Sequence, residues 1–348
     1  MDRKVIFRCD AGHAPDIGTG HITRSKTLAT NLVEKGLLRK NDISFYTRQD
    51  PDYDLGKSYL AESKFTYKAF PDNALKPNTS SELKILQNSG AALIFMDRLS
   101  TSSKLIKGIT SAGKKVVTFD DYGSGRVCAD LAISAIFDDV CKSDNLVRGY
   151  RYLVLSKSSY SPLPVSQYIN KIVATFGGYD SRSLCQFFLE NSEIIPTTCS
   201  VDIILGSCDE NILRSYYKYI ESNRLQERFK IHIFPDNYHE IIANADLAIT
   251  SGGLSIFEFS AYGVPSIGLP QYEHQLRTIE NLRDAGISLV GSDGMNLSQH
   301  KLKACLEYMN DFTLRNRMAM CAREKIDGLG TDRIISLLIN NFPDNFHG

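Results

Sequence analysis

The chain of 348 residues is long for one domain and comfortable for two. Hydrophobic residues make up 43% and charged residues 23%, as is ordinary for a soluble globular protein. Lys+Arg and Asp+Glu both number 40, so no bulk positive charge indicates nucleic acid or an anionic membrane as a partner.

Short apolar strands alternate with helical patterns through the first half of the chain, and helices are predicted near residues 22–36, 80–89 and 102–113. This alternation predicts a parallel, doubly wound sheet, in which ligands bind beyond the carboxyl ends of the strands. Acidic residues stand at those predicted ends, namely Asp10, Asp97, Asp120 and Asp121. The predicted strands are KVIFRCD (4–10), DISFYTR (42–48), AALIFMD (91–97), KVVTFDD (115–121) and DLAISAI (130–136).

A Ser/Pro-rich stretch, residues 156–169, predicts a link to a second domain in which the alternation resumes. The fold class is therefore α/β, with two Rossmann-like domains facing a cleft, over residues 1–160 and 161–348. The helical tail, roughly 299–340, is a candidate for crossing back to the first domain. The predicted strands of the second domain are KIVATFGG (171–178), VDIILGS (201–207), FKIHIFP (229–235), LAITSGG (247–253) and PSIGLPQ (265–271), with helices near 181–192, 209–222, 237–244, 254–262 and 273–286.

The cysteines indicate the compartment, because all eight lie singly without a CxxC pair. This favours reduced thiols in a cytosolic protein over a disulfide or zinc framework. The first predicted strand leaves no room for a signal peptide, and no apolar run reaches the ~18 residues of a membrane span. We expect a cytoplasmic monomer or weak oligomer that has no integral membrane contact and binds no nucleic acid.

The loop DIGTGH (16–21) stands between the first predicted strand and the first predicted helix. Glycines let backbone N–H groups approach a ligand, and a helix N-terminus favours anions. Gly18 and Gly20 do not complete the dinucleotide pattern GxGxxG, since Thr23 stands at its last position, and no P-loop GK[ST] follows. His21 is a candidate general base, and a histidine that caps a helix is the structural alternative.

A second loop, SGGLSIFE (251–258), follows the predicted strand LAIT. Ser251, Gly252, Gly253 and Leu254 offer backbone N–H groups and a hydroxyl to phosphate oxygens where a helix begins. Glu258, within that helix, can accept both hydroxyls of a ribose. A capped helix with a solvated glutamate is the structural alternative.

Three further loops carry polar groups. In FGGYDS (176–181), Gly177 and Gly178 precede a helix capped by Asp180 or Ser181, and either a plain turn or a ligand role remains open. PQYEHQ (270–275) offers Gln275 to sugar hydroxyls and His274 as a second acid/base group or a plain loop histidine. FDDYGSG (119–125) has paired acids without further metal ligands at a suggestive spacing, so turn and cap roles are expected rather than a metal site.

Together these motifs resemble a family of nucleotide-sugar hydrolases, the UDP-2,4-diacetamido-2,4,6-trideoxy-β-L-altropyranose hydrolases of pseudaminic acid biosynthesis, and more broadly the GT-B glycosyltransferases. The chain is similar to a divergent member, with Leu99 where the hydrolases have a tyrosine and His274 where they have an asparagine. The similarity runs nearly end to end, through FRCDAGHAPDIGTGHITRSKTLA (7–29), VVTFDDYGSGRVCADLAISAI (116–136), ATFGGYDSRSL (174–184) and SGGLSIFEFSAYGVPSIGLPQYEHQ (251–275).

The resemblance implies that the second domain holds UDP, with residues 251–254 at the pyrophosphate and Glu258 at the ribose. It implies that His21 activates water against the anomeric carbon. Asp10 and Arg24 are expected to bind the substrate in the same pocket, where Gly18 and Gly20 leave space for the sugar. No cofactor or metal is expected, because helix termini and backbone N–H groups can hold the departing phosphates. The expected substrate is a UDP-activated amino or deoxy sugar.

Two other functions remain open at this point. A GT-B glycosyltransferase would use the same site with an alcohol acceptor in place of water. A nucleotide-sugar binding or regulatory protein is the non-enzymatic alternative, although binding alone does not require a base such as His21.

Overall fold

The computed structural model describes residues 3–13, 17–61, 63–71, 74–136, 143–156 and 160–346. The chain divides into two compact units, one of residues 1–158 with 328–348 and the other of residues 159–327. The end of the predicted second domain, residues 328–348, therefore belongs with the first unit. In the described ranges, none of the helices combines the length and the apolarity that crossing a bilayer needs.

The first unit is built on a parallel sheet whose strand order is β3-β2-β1-β4-β5-β6-β7 over the described residues. Every residue of β1 and β4 is buried, because helices cover both faces of the sheet. The strands are β1 (Val5–Cys9), β2 (Ile43–Arg48), β3 (Thr66–Phe70), β4 (Leu93–Asp97), β5 (Lys115–Phe119), β6 (Leu131–Ser134) and β7 (Leu146–Arg148), and the helices are α1 (Gly20–Glu34), α2 (Leu55–Ala61), α3 (Ser80–Gln87) and α4 (Ser103–Ser111).

The second unit repeats this topology, with its described strands in the order β10-β9-β8-β11-β12-β13. A short antiparallel hairpin, β14 (Ser292–Asp293) with β15 (Asn296–Leu297), follows the sheet. The sheet strands are β8 (Lys171–Thr175), β9 (Ser200–Leu205), β10 (Phe229–Ile233), β11 (Leu247–Thr250), β12 (Ser266–Gly268) and β13 (Ser288–Val290). The helices are α5 (Leu184–Glu190), α6 (Glu210–Ser222), α7 (Tyr238–Ala243), α8 (Leu254–Tyr262), α9 (Glu273–Asp284), α10 (Gln299–Met309) and α11 (Phe312–Lys325).

The C-terminal helices α12 (Gly330–Asn341) and α13 (Pro343–Phe346) complete the first unit. The start of α12 lies directly against the backbone of Leu153, since a Cβ built on Gly330 would stand 2.1 Å from the Leu153 carbonyl oxygen. Only glycine permits this approach. Lys35, at the end of α1, forms an ion pair with Asp332 of α12 at 2.9 Å.

All ten predicted strands are present, and the predicted parallel, doubly wound sheets are confirmed. In each sheet the strand order reverses once, between β1 and β4 and between β8 and β11. The crevice beyond the carboxyl ends of such a pair is where open α/β sheets bind ligands. The loops singled out in the sequence, DIGTGH, FGGYDS and SGGLSIFE, follow β1, β8 and β11.

Stacked aromatic rings hold the reversal point of the first sheet in place. The Phe7 ring lies 4.5 Å from that of Phe95 and 5.1 Å from that of Phe45, centroid to centroid, in near-parallel stacks. These residues sit on neighbouring strands and are fully buried. Large buried rings of this kind fix the register of β1, β2 and β4 and therefore the positions of the loops that follow them.

The described cysteines, seven in number, are all free thiols, and Cys141 lies outside the described residues. Burial raises the pKa of the thiols of Cys9 and Cys185 well above the ordinary value. These thiols are therefore uncharged packing groups at neutral pH.

Candidate functional site

The first unit carries a histidine–carboxylate pair at the reversal point of its sheet. His21 lies in the first turn of α1, and its Nδ1 stands 2.7 Å from Oδ1 of Asp97, the last residue of β4. The Asp97 side chain is fully buried, whereas that of His21 is 14% exposed. A carboxylate at Nδ1 selects the tautomer with the proton on Nδ1, so we assign Nε2 as the nitrogen that accepts a proton.

The Asp97 carboxylate is held ionised by the groups around it. Arg24 donates to both of its oxygens, at 2.6 and 2.9 Å, and the Ser25 hydroxyl donates to Oδ2 at 3.0 Å. Burial acts to raise the pKa of Asp97, but the charge of Arg24 and the hydrogen bonds from Arg24 and His21 outweigh it and lower the pKa to about 2.

Because its pKa is low, ionised Asp97 should stabilise the folded protein, and this stabilisation should be lost in acid. An unfolded aspartate has a pKa of about 3.9. The folded-state pKa is lower, so the stabilisation is complete above about pH 4 and disappears as the pH falls toward 2; it is worth roughly 2 kcal/mol at neutral pH. Urea unfolding from pH 7 to pH 2 should show a steeper loss in the wild type than in Asp97→Asn. Asp54→Asn removes an exposed carboxylate and is the control, so its free energy of unfolding should fall with pH as the wild type's does. A fall as steep in Asp97→Asn as in the wild type would contradict the prediction.

The other predicted residues of the first unit lie in two settings. The Asp10 carboxylate is buried and accepts from the Arg48 backbone N–H at 2.9 Å, with Arg8 Nη1 2.6 Å away. Burial opposes ionisation of Asp10, but the charge of Arg8 prevails and lowers its pKa. Around Gly18 there is open space, since a Cβ there would meet nothing within 4 Å, and Gly20 begins α1. Asp16 of the same loop lies outside the described residues.

The paired acids of FDDYGSG have turn and anchoring roles. Asp121 accepts from the Thr101 backbone N–H at 2.9 Å and from the Gly123 N–H at 2.7 Å. Asp120 accepts from the backbone N–H groups of Ala135 and Ile136, at 2.7 and 2.9 Å, and from Arg24. Each carboxylate thus accepts hydrogen bonds from backbone N–H groups of its own unit.

In the second unit, three predicted loops converge at the reversal point of the sheet. A Cβ on Gly252 would lie 2.5 Å from the Gln275 carbonyl oxygen, and one on Gly177 would lie 3.9 Å from Ser251 Oγ. Direct contact therefore joins segment 251–254 to segment 270–275, and segment 176–181 lies beside segment 251–254. Gly177 has φ +86°, a conformation that glycine adopts without strain.

Gln271 ties two of these loops together. Its Oε1 accepts from the Ser181 backbone N–H at 2.7 Å, and its Nε2 donates to the Phe176 carbonyl at 2.6 Å. The Gln271 N–H in turn donates to Gln275 Oε1 at 3.0 Å. Asp180 is the residue that caps α5, accepting from Leu184 N and Cys185 N at 2.9 and 2.7 Å. These contacts hold together the three loops, residues 176–181, 251–254 and 270–275, which we call the loop frame.

The N-terminus of α8 faces this frame. Gly253 is its N-cap residue and has no side chain with which to cap the first turn. The helix begins at Leu254, and Ser251 is buried beside it. Backbone N–H groups at such a terminus carry a partial positive charge suited to phosphate oxygens.

Glu258 lies one turn further along α8 and is 7% exposed. Its Oε2 accepts from the Tyr238 hydroxyl of α7 at 2.7 Å. Burial, followed by the charge of Glu258, raises the pKa of Tyr238 well above its ordinary value, so the hydroxyl remains a donor at neutral pH. A carboxylate fixed in this way can accept hydroxyl groups in a defined direction.

His274 lies in the first turn of α9, half-buried, with its ring stacked on that of Tyr272 at 5.5 Å. It is in the second unit, on the helix whose Gln275 completes the loop frame. His21 is in the first unit. The two histidines proposed from sequence therefore belong to different units.

Sequence reasoning missed the partners of the two candidate residues that matter most. Asp97 was noted as an acid at a strand end but was not paired with His21, and Tyr238 was not singled out at all. The first had a usable signal, because acids that end adjacent strands of a doubly wound sheet share one edge. No sequence signal links Tyr238 to Glu258, because a helix and a strand separate the two residues along the chain.

Comparisons with known proteins agree with this architecture. Residues 172–329 match the family model of the glycosyltransferase family 28 C-terminal domain. MurG of Acinetobacter baumannii has a similar structure, with a TM-score of 0.65 and 13% identity over 97% of this chain and 99% of that one. These matches show that the chain has the GT-B fold and that residues 172–329 are similar to a glycosyltransferase domain.

Two further matches are a relative in sequence and a solved structure with UDP and glucose bound. The spore coat polysaccharide biosynthesis protein SpsG of Bacillus subtilis is 24% identical over 337 residues, which are 92% of this chain and 94% of that protein. The structure of Anabaena Alr3699/HepE in complex with UDP and glucose has a TM-score of 0.57 and 12% identity, over 97% of this chain and all of that one. The GT-B part of the sequence expectation is confirmed, and the hydrolase part stays a prediction.

Proposed function

We propose that this protein is a glycosyltransferase, which moves a sugar from a nucleoside diphosphate sugar, a UDP-sugar in the first instance, to an acceptor hydroxyl. The observation that carries the proposal is the His21–Asp97 pair at the reversal point of the first sheet. The match of residues 172–329 to a glycosyltransferase domain supports transfer over the hydrolysis first expected from the sequence. The name of SpsG supports a role in the synthesis of a surface polysaccharide.

The first unit would supply the base. Nε2 of His21 takes the proton of the acceptor hydroxyl as its oxygen bonds to the anomeric carbon. The bond from that carbon to the phosphate oxygen breaks, and its electron pair leaves with the nucleotide. Asp97 stabilises the imidazolium that forms, because its carboxylate accepts a hydrogen bond from Nδ1–H, with 2.7 Å between Nδ1 and Oδ1.

The second unit would bind the nucleotide. Residues 251–254 and the N-terminus of α8 would hold the diphosphate and stabilise the charge that develops on it, so the proposed mechanism calls for no metal or cofactor. Glu258 would accept the ribose hydroxyls. Gly177, Gly178 and Gln275 would contact the sugar, with His274 as a second acid/base group in the same loop frame.

Hydrolysis is the second candidate, favoured by the resemblance of residues 7–29 to nucleotide-sugar hydrolases. The same base would then act on water. A panel of UDP-sugars and CMP-sugars, each with and without a set of glycan and simple alcohol acceptors, separates the two functions by the release of free nucleotide. We expect release from a UDP-sugar that depends on an acceptor. Equal release without an acceptor would establish the hydrolase, and no release under any condition would contradict both.

Removing the Glu258 carboxylate should weaken UDP binding. By isothermal titration calorimetry we expect Glu258→Ala to bind UDP about 100-fold and Tyr238→Phe about 10-fold more weakly, because hydrogen bonds to charged groups are worth about 1.5–3 kcal/mol each. Tyr217→Phe is the matched control, since Tyr217 is an exposed tyrosine of the same unit. An unchanged affinity of Glu258→Ala would remove the ribose role.

A further inference from the structure

Arg24 was expected to contact substrate, but its guanidinium is fully engaged inside the first unit. It lies one helical turn after His21 and is 4% exposed. Nε and Nη2 form a fork on Asp97, at 2.9 and 2.6 Å, while Nη1 donates to Asp120. Its Cζ lies over the Phe119 ring, 5.5 Å from the ring centre. Each of the three guanidinium nitrogens thus donates to a buried carboxylate, and Nη2 also lies 3.5 Å from His21 Nδ1, so the group has little left to offer a ligand.

The fork decides how Asp97 faces His21. A carboxylate turns easily about its last torsion, which has a broad energy profile. Here Oδ1 is shared between His21 Nδ1 and Arg24 Nη2, and Oδ2 is shared between Arg24 Nε and Ser25 Oγ. Because a bidentate Arg–carboxylate pair is planar and directional, it fixes the plane of Asp97 and keeps Oδ1 on Nδ1.

Asp120 anchors the fork to the sheet. It follows β5 with φ +44°, in the left-handed region that aspartate tolerates better than most residues. Its Oδ1 accepts the backbone N–H groups of Ala135 and Ile136, directly after β6. These two N–H groups help to balance the second carboxylate, so the single guanidinium can serve both acids.

We propose that Arg24 is a positioning residue, which holds Asp97 and through it the Nδ1–H tautomer of His21, with Asp120 as the anchor of Arg24. The role as stated rests on the function proposed above, in which Nε2 of His21 accepts the proton. The contacts themselves do not depend on that reaction. Loss of the fork lets Asp97 rotate, and His21 then populates the tautomer in which Nε2 carries the proton and cannot accept one.

Two substitutions of Arg24 test this. Arg24→Lys keeps the charge without the fork, and Arg24→Met removes both. We expect kcat to fall about 100-fold in Arg24→Met, the scale that misplacing a catalytic group produces, with a smaller loss in Arg24→Lys. The KM for the donor should stay within about two-fold of the wild-type value, because a positioning residue does not contact the donor. Added guanidinium chloride at millimolar concentration should restore part of the turnover of Arg24→Met.

The tautomer is read directly by ¹⁵N NMR of histidine-labelled protein, with the His21 resonances assigned by their absence from His21→Gln. The wild type should show protonated Nδ1 and unprotonated Nε2 at His21, and Arg24→Met a mixture of both tautomers. Asp120→Asn should shift the signal in the same direction while its amide oxygen still accepts the N–H groups of 135 and 136. Arg39→Met is the control, since Arg39 is exposed and pairs only with Asp42 among the contacts described.

The outcomes are distinguishable. A raised donor or acceptor KM with an unchanged His21 tautomer would make Arg24 a substrate-binding residue and overturn the inference. If Arg24→Met does not fold, as circular dichroism would show, Arg24→Lys and Asp120→Asn carry the test. If the wild type turns over no nucleotide sugar, the proposed function fails, and the tautomer measurement still decides for or against the role of Arg24.

Discussion

His21→Ala should abolish turnover while nucleotide binding is kept. The imidazole is the base of the proposed reaction and belongs to the first unit, whereas the loops proposed to bind the nucleotide belong to the second unit. Loss of a general base costs about 10²–10⁴-fold in rate, so turnover should fall at least 100-fold. UDP affinity, measured by calorimetry, should stay within about two-fold of wild type, because no nucleotide contact is assigned to His21.

The control for this substitution is His300→Ala, which removes a histidine from α10 of the second unit. It should leave both turnover and UDP affinity unchanged. Full turnover in His21→Ala would show that the base lies elsewhere, and His274 would then be the first residue to substitute. A large loss of UDP affinity in His21→Ala would contradict the division of roles between the units.

Asp97→Asn is expected to have the second largest effect. The amide is nearly isosteric with the carboxylate, so the packing of β4 should survive. The amide group can present an N–H to Nδ1, however, which favours the wrong tautomer of His21, and it no longer stabilises the imidazolium. In a comparable triad the same change lowers kcat by about 10⁴. We expect a loss of about 10²–10⁴ in kcat, with the donor KM little changed.

A matched substitution separates this catalytic effect from simple destabilisation. Ser25→Ala removes the hydroxyl that donates to Oδ2 of Asp97 but leaves the His21 contact and the Arg24 fork in place. Its thermal midpoint should drop by an amount similar to that of Asp97→Asn or less, while its kcat should fall by less than about five-fold, the scale of one neutral hydrogen bond. If Asp97→Asn retained wild-type kcat, the dyad would have no catalytic role.

Much of the fold could be predicted, because buried parallel strands read as apolar runs whatever their neighbours. The strands that were missed lack such runs. β3 (TYKAF) carries a lysine and is mostly half-exposed. β7 and β13 are short and mostly half-buried, unlike β12, which is equally short but fully buried. The tail was recognised as helical and as a candidate for crossing back, but no sequence pattern reports the close backbone contact at Gly330, where α12 meets the first unit.

The candidate site could be predicted in part, through loops that follow strands. His21, residues 251–254 and Glu258 were found because glycines at the start of a helix have a physical meaning in any sequence. The partners were not found, because they come from strand order. Asp97 reaches His21, 76 residues earlier, only because β4 inserts beside β1. The same insertion brings Asp97 to Arg24, and this contact is the basis of the positioning role proposed for Arg24.

The central claim is that His21 drives attack of an acceptor hydroxyl on the anomeric carbon of a nucleotide sugar. A UDP-sugar labelled with ¹⁸O in the bridge between the anomeric carbon and phosphorus, incubated with acceptor and analysed by mass spectrometry, tests it most directly. We predict that the label leaves entirely with UDP, that a glycosylated acceptor forms in equal amount, and that His21→Ala forms neither. Label retained on the sugar, or equal product with His21→Ala, would contradict the account.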